Sequence, residues 1–255
     1  MKIQQSQGGG ARGFLPLKGK NCFNSSGEGF TLAEVLITLG IIGVVAAMTL
    51  PTLIQNHNKK VVETRLMKFY STMNQAIQLA EVDYGERETW YAKYDDLDTD
   101  IKGRPVTGKS YREKWFNKYL APYMKIVATN YDIAGDENPV FIFADGSGVR
   151  YRGDTSIADW YYYISNPAKC AKIANSICSF AFLYSPLNAN KSSNFLYSGR
   201  TFEPYKYGWD GTVDNLYNNP SLGCNNGNIV HEYCAALIQF NGWRIPDDYP
   251  FKVKY

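Results

Sequence analysis

One uninterrupted apolar stretch near the start of the chain constrains the fold more than any other feature. No charged residue lies between Val35 and Ile54. At about 1.5 Å per residue, a helix of this length spans roughly 30 Å, the thickness of the hydrocarbon core of a bilayer. Glu34 stands at the start of the stretch, although a carboxylate costs on the order of 3 kcal/mol at the centre of a membrane. The sequence therefore predicts a membrane-spanning helix that begins at a functional acid.

The residues around this acid form a recognisable motif. The stretch from Gly29 to Glu34 (GFTLAE), joined to the apolar helix, is similar to the processing site of type IV prepilins and of the pseudopilins of type II secretion. In that family a dedicated peptidase cuts after the glycine and methylates the new amino terminus. The resemblance implies a cut between Gly29 and Phe30, with methylation of Phe30. Gly43 and Pro51 match the helix-loosening glycine and the kinking proline that family members commonly carry.

Cleavage at this position would give the acid a partner. The freed amine of Phe30 is positively charged, and Glu34 of a neighbouring subunit can neutralise it inside a bundle of helices. Two unit charges about 4 Å apart, at an effective dielectric constant near 20, attract by roughly 4 kcal/mol, comparable to the cost of burying the carboxylate. The apolar helix also carries several small residues, which allow neighbouring helices to approach closely but are also ordinary in membrane helices. They are Ala33, Gly40, Gly43, Ala46 and Ala47.

Composition divides the chain into three parts. Residues 1–29, the predicted leader, are polar and glycine-rich with a net charge of about +3, which keeps this end in the cytoplasm by the positive-inside rule. Residues 30–54 form the transmembrane and assembly helix, and residues 55–255 an extracytoplasmic domain. Removal of the leader leaves 23 basic and 23 acidic residues, so the mature chain is neutral. The leader is long for the family, and an initiation codon placed too far upstream is a second interpretation.

Beyond the apolar stretch the helix becomes amphipathic. Pro51 lacks a backbone donor and predicts a bend, and Gly85 is the expected terminator after a helix that runs to about Val82. The apolar positions recur at steps of three and four. They are Val62, Leu66, Phe69, Tyr70, Met73, Ala76, Ile77 and Ala80.

The middle of the chain predicts a small antiparallel sheet. Val140–Ala144 and Val149–Tyr151 flank the turn Asp145–Gly148 and are typical of a hairpin. Trp160–Ile164 and Ile177–Tyr184, rich in aromatic and β-branched residues, add two strands. We therefore expect an α+β fold in which one face of a four-stranded sheet covers the amphipathic helix, and the resemblance to prepilins implies that this fold is pilin-like.

Two shorter helices are expected outside this sheet. An apolar stripe over Tyr111–Val127 favours a helix, although Pro122 interrupts it. In the loop-rich last third, His231–Phe240 predicts a short buried helix stopped by Asn241-Gly242. The segment Asn241–Pro250 resembles the C-terminal tail of a large group of uncharacterised bacterial pilin-like proteins.

The cysteines indicate an oxidising compartment. Cys22 is lost with the leader, which leaves an even number, Cys170, Cys178, Cys224 and Cys234. Two disulfides are expected, and local pairing of the first two and of the last two is favoured because short loops close easily. Nested pairing stays open. A zinc site is a weaker alternative, since seven and nine intervening residues do not fit the spacing of zinc ligands.

Catalytic groups are scarce. The sequence has two histidines, His57 and His231, which are too few for a histidine-based metal site and disfavour a conventional catalytic triad. No nucleophile elbow, phosphate-binding loop or His-Glu-x-x-His motif occurs in the sequence. The sequence predicts no enzyme activity, no catalytic residue, no cofactor and no metal. The alternative is a calcium site at Asp210 and Asp214, which flank Gly211 in a polar loop.

A basic stretch raises nucleic-acid binding as another alternative. Interleaved cations and aromatic rings can contact phosphates and stack on bases. Acidic residues lie close by in the sequence and the mature domain is neutral, so a solvated helix face is the favoured interpretation. The cations are Arg104, Lys109, Arg112, Lys114 and Lys118, and the aromatic residues are Tyr111, Trp115 and Phe116.

Together these features predict a structural subunit of a type IV pilus or of a type II secretion pseudopilus. The expected partners are further copies of the chain and related pilins in a filament, a prepilin peptidase, the inner membrane and the assembly machinery. The rival hypothesis is a membrane-tethered adhesin or DNA-binding protein that does not polymerise, for which neither Glu34 nor the Gly29-Phe30 junction is needed.

Overall fold

A computed structural model describes residues 29–90, 100–102, 106–108, 110–131, 133, 138–153, 158–173, 175–186 and 202–255. The predicted leader up to residue 28, with Cys22, lies outside these residues, as do Arg104 and Lys109. By contacts the chain divides into two units, Met1–Ala47 and Met48–Tyr255. The division falls inside the first helix.

The described residues contain five α-helices, and the first is much the longest. It ends as predicted at Gly85, whose φ of 80° is the left-handed conformation that glycine adopts readily and whose N–H donates to the carbonyl of Glu81 at 3.0 Å. Short 3-10 turns lie at Arg87–Trp90 and Ala121–Tyr123. The helices are α1 (Leu32–Tyr84), α2 (Tyr111–Tyr119), α3 (Pro167–Cys170), α4 (Val213–Asn218) and α5 (Cys234–Phe240).

Six antiparallel strands form one sheet in the order in which they occur along the chain. The expected fold class is confirmed as a long helix on an antiparallel sheet, but the prediction of four strands is wrong because both edge strands were missed. The strands are β1 (Ile126–Asn130), β2 (Val140–Phe143), β3 (Gly148–Gly153), β4 (Ala158–Tyr163), β5 (Ser179–Tyr184) and β6 (Phe202–Pro204).

One face of the sheet packs on the amphipathic part of α1. Phe69 stacks on Tyr162 of β4 with ring centroids 4.0 Å apart, and it meets Phe182 and Phe202 edge-on at 5.1 and 5.7 Å. All eight predicted apolar positions from Val62 to Ala80 are buried, which confirms the predicted face. Asn74 is buried with them and donates to the carbonyl of Phe202 at 3.0 Å.

The predicted helix over Tyr111–Val127 is wrong in its second half. The α-helix ends at Tyr119, a 3-10 turn carries Pro122, and β1 begins at Ile126. Proline cannot donate a hydrogen bond and clashes with the preceding turn. The chain leaves the turn in extended conformation and pairs with β2, and Ala144 donates its N–H to the carbonyl of Lys125 at 3.0 Å.

The opposite face of the sheet is covered by the C-terminal region. Tyr161, which alternates with the inward Trp160 and Tyr162, donates its hydroxyl to Glu232 at 3.0 Å, and α5 lies against β5 and β6. This helix begins three residues later than predicted, at Cys234, and ends before Gly242, whose φ is 67°. The domain therefore has helices on both faces of its sheet.

Two disulfides close local loops in this region. Cys170 pairs with Cys178 and Cys224 pairs with Cys234, at sequence separations of 8 and 10. The favoured local pairing is confirmed. Each bond holds an irregular segment beside a regular element, since Cys170 ends α3 and Cys234 begins α5.

Candidate assembly segment

The N-terminal end of α1 is closed by two side chains. The backbone N–H and the hydroxyl of Thr31 both donate to Oε2 of Glu34 at 2.8 Å, and the N–H of Glu34 donates to the hydroxyl of Thr31 at 3.2 Å. This is a capping box, which satisfies N–H groups that have no partner within a helix. Glu34 thus has a role in its own chain that sequence reasoning missed. The Thr-x-x-Glu spacing at the start of the helix is the signal that identifies it.

Gly29 and Phe30 precede this cap. Both are exposed and neither belongs to a helix or a strand; the side chain of Phe30 is 87% exposed. A peptidase needs an accessible peptide bond outside regular structure, and the bond between these residues meets that requirement.

The first part of α1, residues 32–54, is apolar, and nearly all of its side chains are exposed. Its most apolar 18-residue window has a mean hydropathy of 2.2, and none of that window is buried. Among the residues that the structure describes, one helix is long and apolar enough to span a membrane. The most exposed large apolar side chains of this part, apart from Phe30, belong to Leu32, Met48, Leu53, Ile37, Ile42 and Leu36.

Glycine and proline positions in this part of α1 are exposed as well. Apart from the adjoining residues and the backbone of α1 itself, no described heavy atom comes within 4 Å of where a Cβ would stand at Gly40 or Gly43, so another helix can approach there. Pro51 lies inside α1. The bend expected at Pro51 and the role of Gly43 in assembly stay predictions.

The residues considered for calcium binding are used in local structure. Asp210 accepts from the N–H and the hydroxyl of Thr212 at 2.8 and 2.7 Å, and Asp214 in the first turn of α4 accepts from the side-chain amide of Asn218 at 2.8 Å. Among the described residues no three His, Cys, Asp or Glu side chains come together as metal ligands. Both aspartates act as turn and helix residues.

Of the two histidines, His231 is the buried one, and it lies beside a buried acid. Its Nε2 lies 2.7 Å from the carbonyl of Asn228, and its ring packs on Phe251 at 4.6 Å. Burial raises the pKa of Glu232 to about 7, and the neighbouring Asp159 adds to this effect. Both side chains are only 7% exposed, so their position is that of interior groups rather than of groups that meet a substrate.

The basic stretch on α2 does not present its aromatic rings to solvent. Trp115 and Phe116 are 2% and 0% exposed and pack against Trp160 and Phe141 of the sheet. Stacking on bases needs exposed rings, so these two cannot serve it in this fold. The ammonium of Lys118 lies 4.7 Å from the ring centroid of Tyr119.

The comparison with known proteins bears on the domain rather than on the assembly segment. A family model described as a family of unknown function (DUF6613) matches residues 52–253. The chain belongs to this family. The matched range starts directly after Pro51 and covers the sheet, both disulfides and α5, while the motif from Gly29 to Glu34 lies before it. Comparison with curated proteins and comparison with solved structures give no match.

Proposed function

We propose that this protein is a structural subunit of a type IV pilus or of a type II secretion pseudopilus. In the proposal a prepilin peptidase cuts after Gly29, Phe30 is N-methylated, and the subunit polymerises through the first part of α1. Before assembly that segment anchors the chain in the bacterial inner membrane, with the domain outside the cytoplasm. Copies of the chain and related pilins are its partners in the filament. No catalytic step is assigned to it.

One observation carries the proposal. An accessible Gly29-Phe30 bond directly precedes an uncovered apolar helix whose first turn contains a carboxylate, Glu34. A simple membrane tether needs the apolar helix but neither the acid nor the junction. The disulfides support the proposed side of the membrane, because such bonds persist in oxidising compartments.

The capping box makes the role of Glu34 testable. If the carboxylate only caps its own helix, Thr31→Ala and Glu34→Ala both break the capping box, each at a cost of about 1 kcal/mol, and have similar effects on filaments. If the carboxylate neutralises the Phe30 amine of a neighbour, only Glu34→Ala removes the charge. We therefore expect Thr31→Ala to retain filaments and Glu34→Ala to abolish them, while both are processed.

Filaments sheared from cells provide the measurement, with leader removal followed in parallel. Glu86→Ala is the matched control, because it makes the same chemical change at an exposed position of the domain and should assemble normally. Normal filament yield from Glu34→Ala would contradict the charge-pair account. A processed wild-type protein that stays monomeric with its machinery present would instead favour a tethered binding protein.

A further inference from the structure

A polar notch lies between α1 and the turn that follows α5. It belongs entirely to the unit Met48–Tyr255 and has a volume of about 450 Å³. Among the residues that line it, the helix contributes Asn56, Lys59 and Lys60, and the turn contributes Asn241 and Arg244. Three cations and two amides therefore face one small space.

The turn that carries Arg244 is held firmly against α1. Gly242 and Trp243 both have left-handed backbone conformation, with φ of 67° and 62°. The ring of Trp243 packs 5.0 Å from that of Tyr70, and the N–H of Ile245 donates to Oε1 of Glu63 at 2.9 Å. A non-glycine residue keeps this conformation only where its surroundings enforce it, often at functional sites. The notch is therefore built into the fold.

Two carboxylates also line the notch, and neither removes its positive character. Glu63 already accepts the N–H of Ile245. Oδ1 of Asp247 lies 4.0 Å from Nζ of Lys59, and its side chain is fully exposed, so this ion pair is weak. One positive charge is left over, together with several N–H donors. Such a site suits an anion with several oxygen atoms, as a phosphate has.

The position of the notch along α1 indicates where that phosphate comes from. The apolar stretch ends at Ile54, and Lys59 follows five residues later, about 8 Å further along the helix. The headgroup layer of a bilayer is about 5 to 8 Å thick on each side of the hydrocarbon core. With the apolar stretch in the core, Lys59 and Lys60 reach the level of the lipid phosphates. Basic side chains near a membrane surface are attracted to anionic headgroups, here those of the leaflet that faces away from the cytoplasm.

We infer that the notch formed by Lys59, Lys60 and Arg244 binds the phosphate of an anionic phospholipid headgroup. The inference rests on the membrane-spanning part of the proposed function and is independent of cleavage and polymerisation. Asn56 donates to the remaining phosphate oxygens or to the glycerol hydroxyls, and so does the one side-chain N–H of Asn241 that does not already donate to the carbonyl of Arg244 at 3.0 Å. A soluble phosphate offers the same oxygen atoms, so the test separates the two sources.

Native mass spectrometry of the full chain in mild detergent tests the inference, with phosphatidylglycerol and phosphatidylcholine added at equal concentration. We expect the wild type to retain phosphatidylglycerol at least tenfold in preference. Each cation near a membrane surface contributes about fivefold in affinity. Lys60→Gln should therefore lose about fivefold, and the triple variant K59Q/K60Q/R244Q on the order of a hundredfold. The triple variant K169Q/K172Q/K252Q makes the same charge change at exposed positions elsewhere and should bind like the wild type.

Two results would overturn the inference. The first is equal retention of phosphatidylglycerol by the wild type and by K59Q/K60Q/R244Q. The second is binding of glycerol 1-phosphate as tightly as the lipid, which assigns the notch to a soluble anion. Extraction of membranes with alkaline carbonate distinguishes a failure of this inference from a failure of the proposed membrane anchor. Release of the protein by carbonate contradicts the membrane anchor itself, whereas an integral protein without lipid preference contradicts only the headgroup site.

Discussion

The two parts of α1 are both rich in apolar residues, yet they meet opposite surroundings. Leu66 in the later part is 0% exposed because it lies in the core of the domain, whereas Leu39 in the earlier part is 59% exposed. The later part has one apolar and one polar face, and its apolar face is buried in the domain. The earlier part is apolar on all sides, and no side of its most apolar window is buried. A helix of the second kind requires lipid or other helices around it.

The largest expected effect tests this contrast with one chemical change at two positions. Leu66→Ala removes buried atoms and leaves a cavity, so it should lower the free energy of unfolding of the domain by about 2 to 5 kcal/mol. Leu39→Ala should change that free energy by less than about 0.5 kcal/mol, because exposed side chains contribute little to folding. Urea denaturation of the full chain in mild detergent measures both. Equal losses from the two variants would show that the first part of α1 packs on the domain.

A second prediction concerns Glu232, a titratable group that lies inside the domain. The pKa of Glu232 is raised to about 7 from an ordinary value of 4.5, chiefly by burial. The unfolded chain releases this proton near pH 4.5 while the folded chain keeps it until about pH 7, so the stability of the domain falls as pH rises through this window. The loss is on the order of 3 kcal/mol.

Glu232→Gln removes this titration and keeps the shape of the protonated acid. The variant should match the wild type below pH 4.5 and exceed its stability above pH 7, while membrane anchoring stays the same at both. Urea denaturation across this pH range gives the difference. A constant difference between the two proteins over the whole range would refute the assignment to Glu232.

The disulfides should produce the smallest of the three effects. Closing a loop of about ten residues stabilises by roughly 2 to 3 kcal/mol in the chain-entropy model. The double variant C224S/C234S should lose this amount in thermal or urea unfolding. Because both cysteines lie in the domain, extraction from membranes should not change. A domain that melts as before would mean that the bond between α5 and the preceding loop does not restrain the unfolded chain.

The same contrast explains which parts of the fold could be predicted. The buried face from Val62 to Ala80 follows from periodicity, and the end at Gly85 follows from local backbone chemistry, so the sequence was sufficient for both. The hairpin of β2 and β3 was also predictable, because its turn residues adjoin its strands. In each case the information lies within a few residues.

The missed elements depend on distant partners. Ile126 and Val127 continued an apolar helical stripe, but pairing with β2 makes this segment a strand. β6 has only three residues and ends in Pro204, so it is defined by its pairing with β5 and not by a pattern of its own. The burial of Glu232 and the approach of Arg244 to α1 likewise arise from the return of the C-terminal region, which no local signal reports.

The candidate assembly segment, from Gly29 through the apolar part of α1, differs from these elements because its residues stand out in the sequence. Gly29, Phe30 and Glu34 were proposed from the sequence alone, and the structure adds the capping box of Thr31 with Glu34 and the accessibility of the Gly29-Phe30 bond. The postulated partner of Glu34 is a neighbouring molecule, so neither one sequence nor one folded chain contains it.

The most direct test of the account is the mass of the mature amino terminus in cells that contain a prepilin peptidase. The account predicts a chain that begins at Phe30 with a methylated amine. A chain that still begins at Met1 would contradict it, because the amine proposed to neutralise Glu34 would then never be exposed.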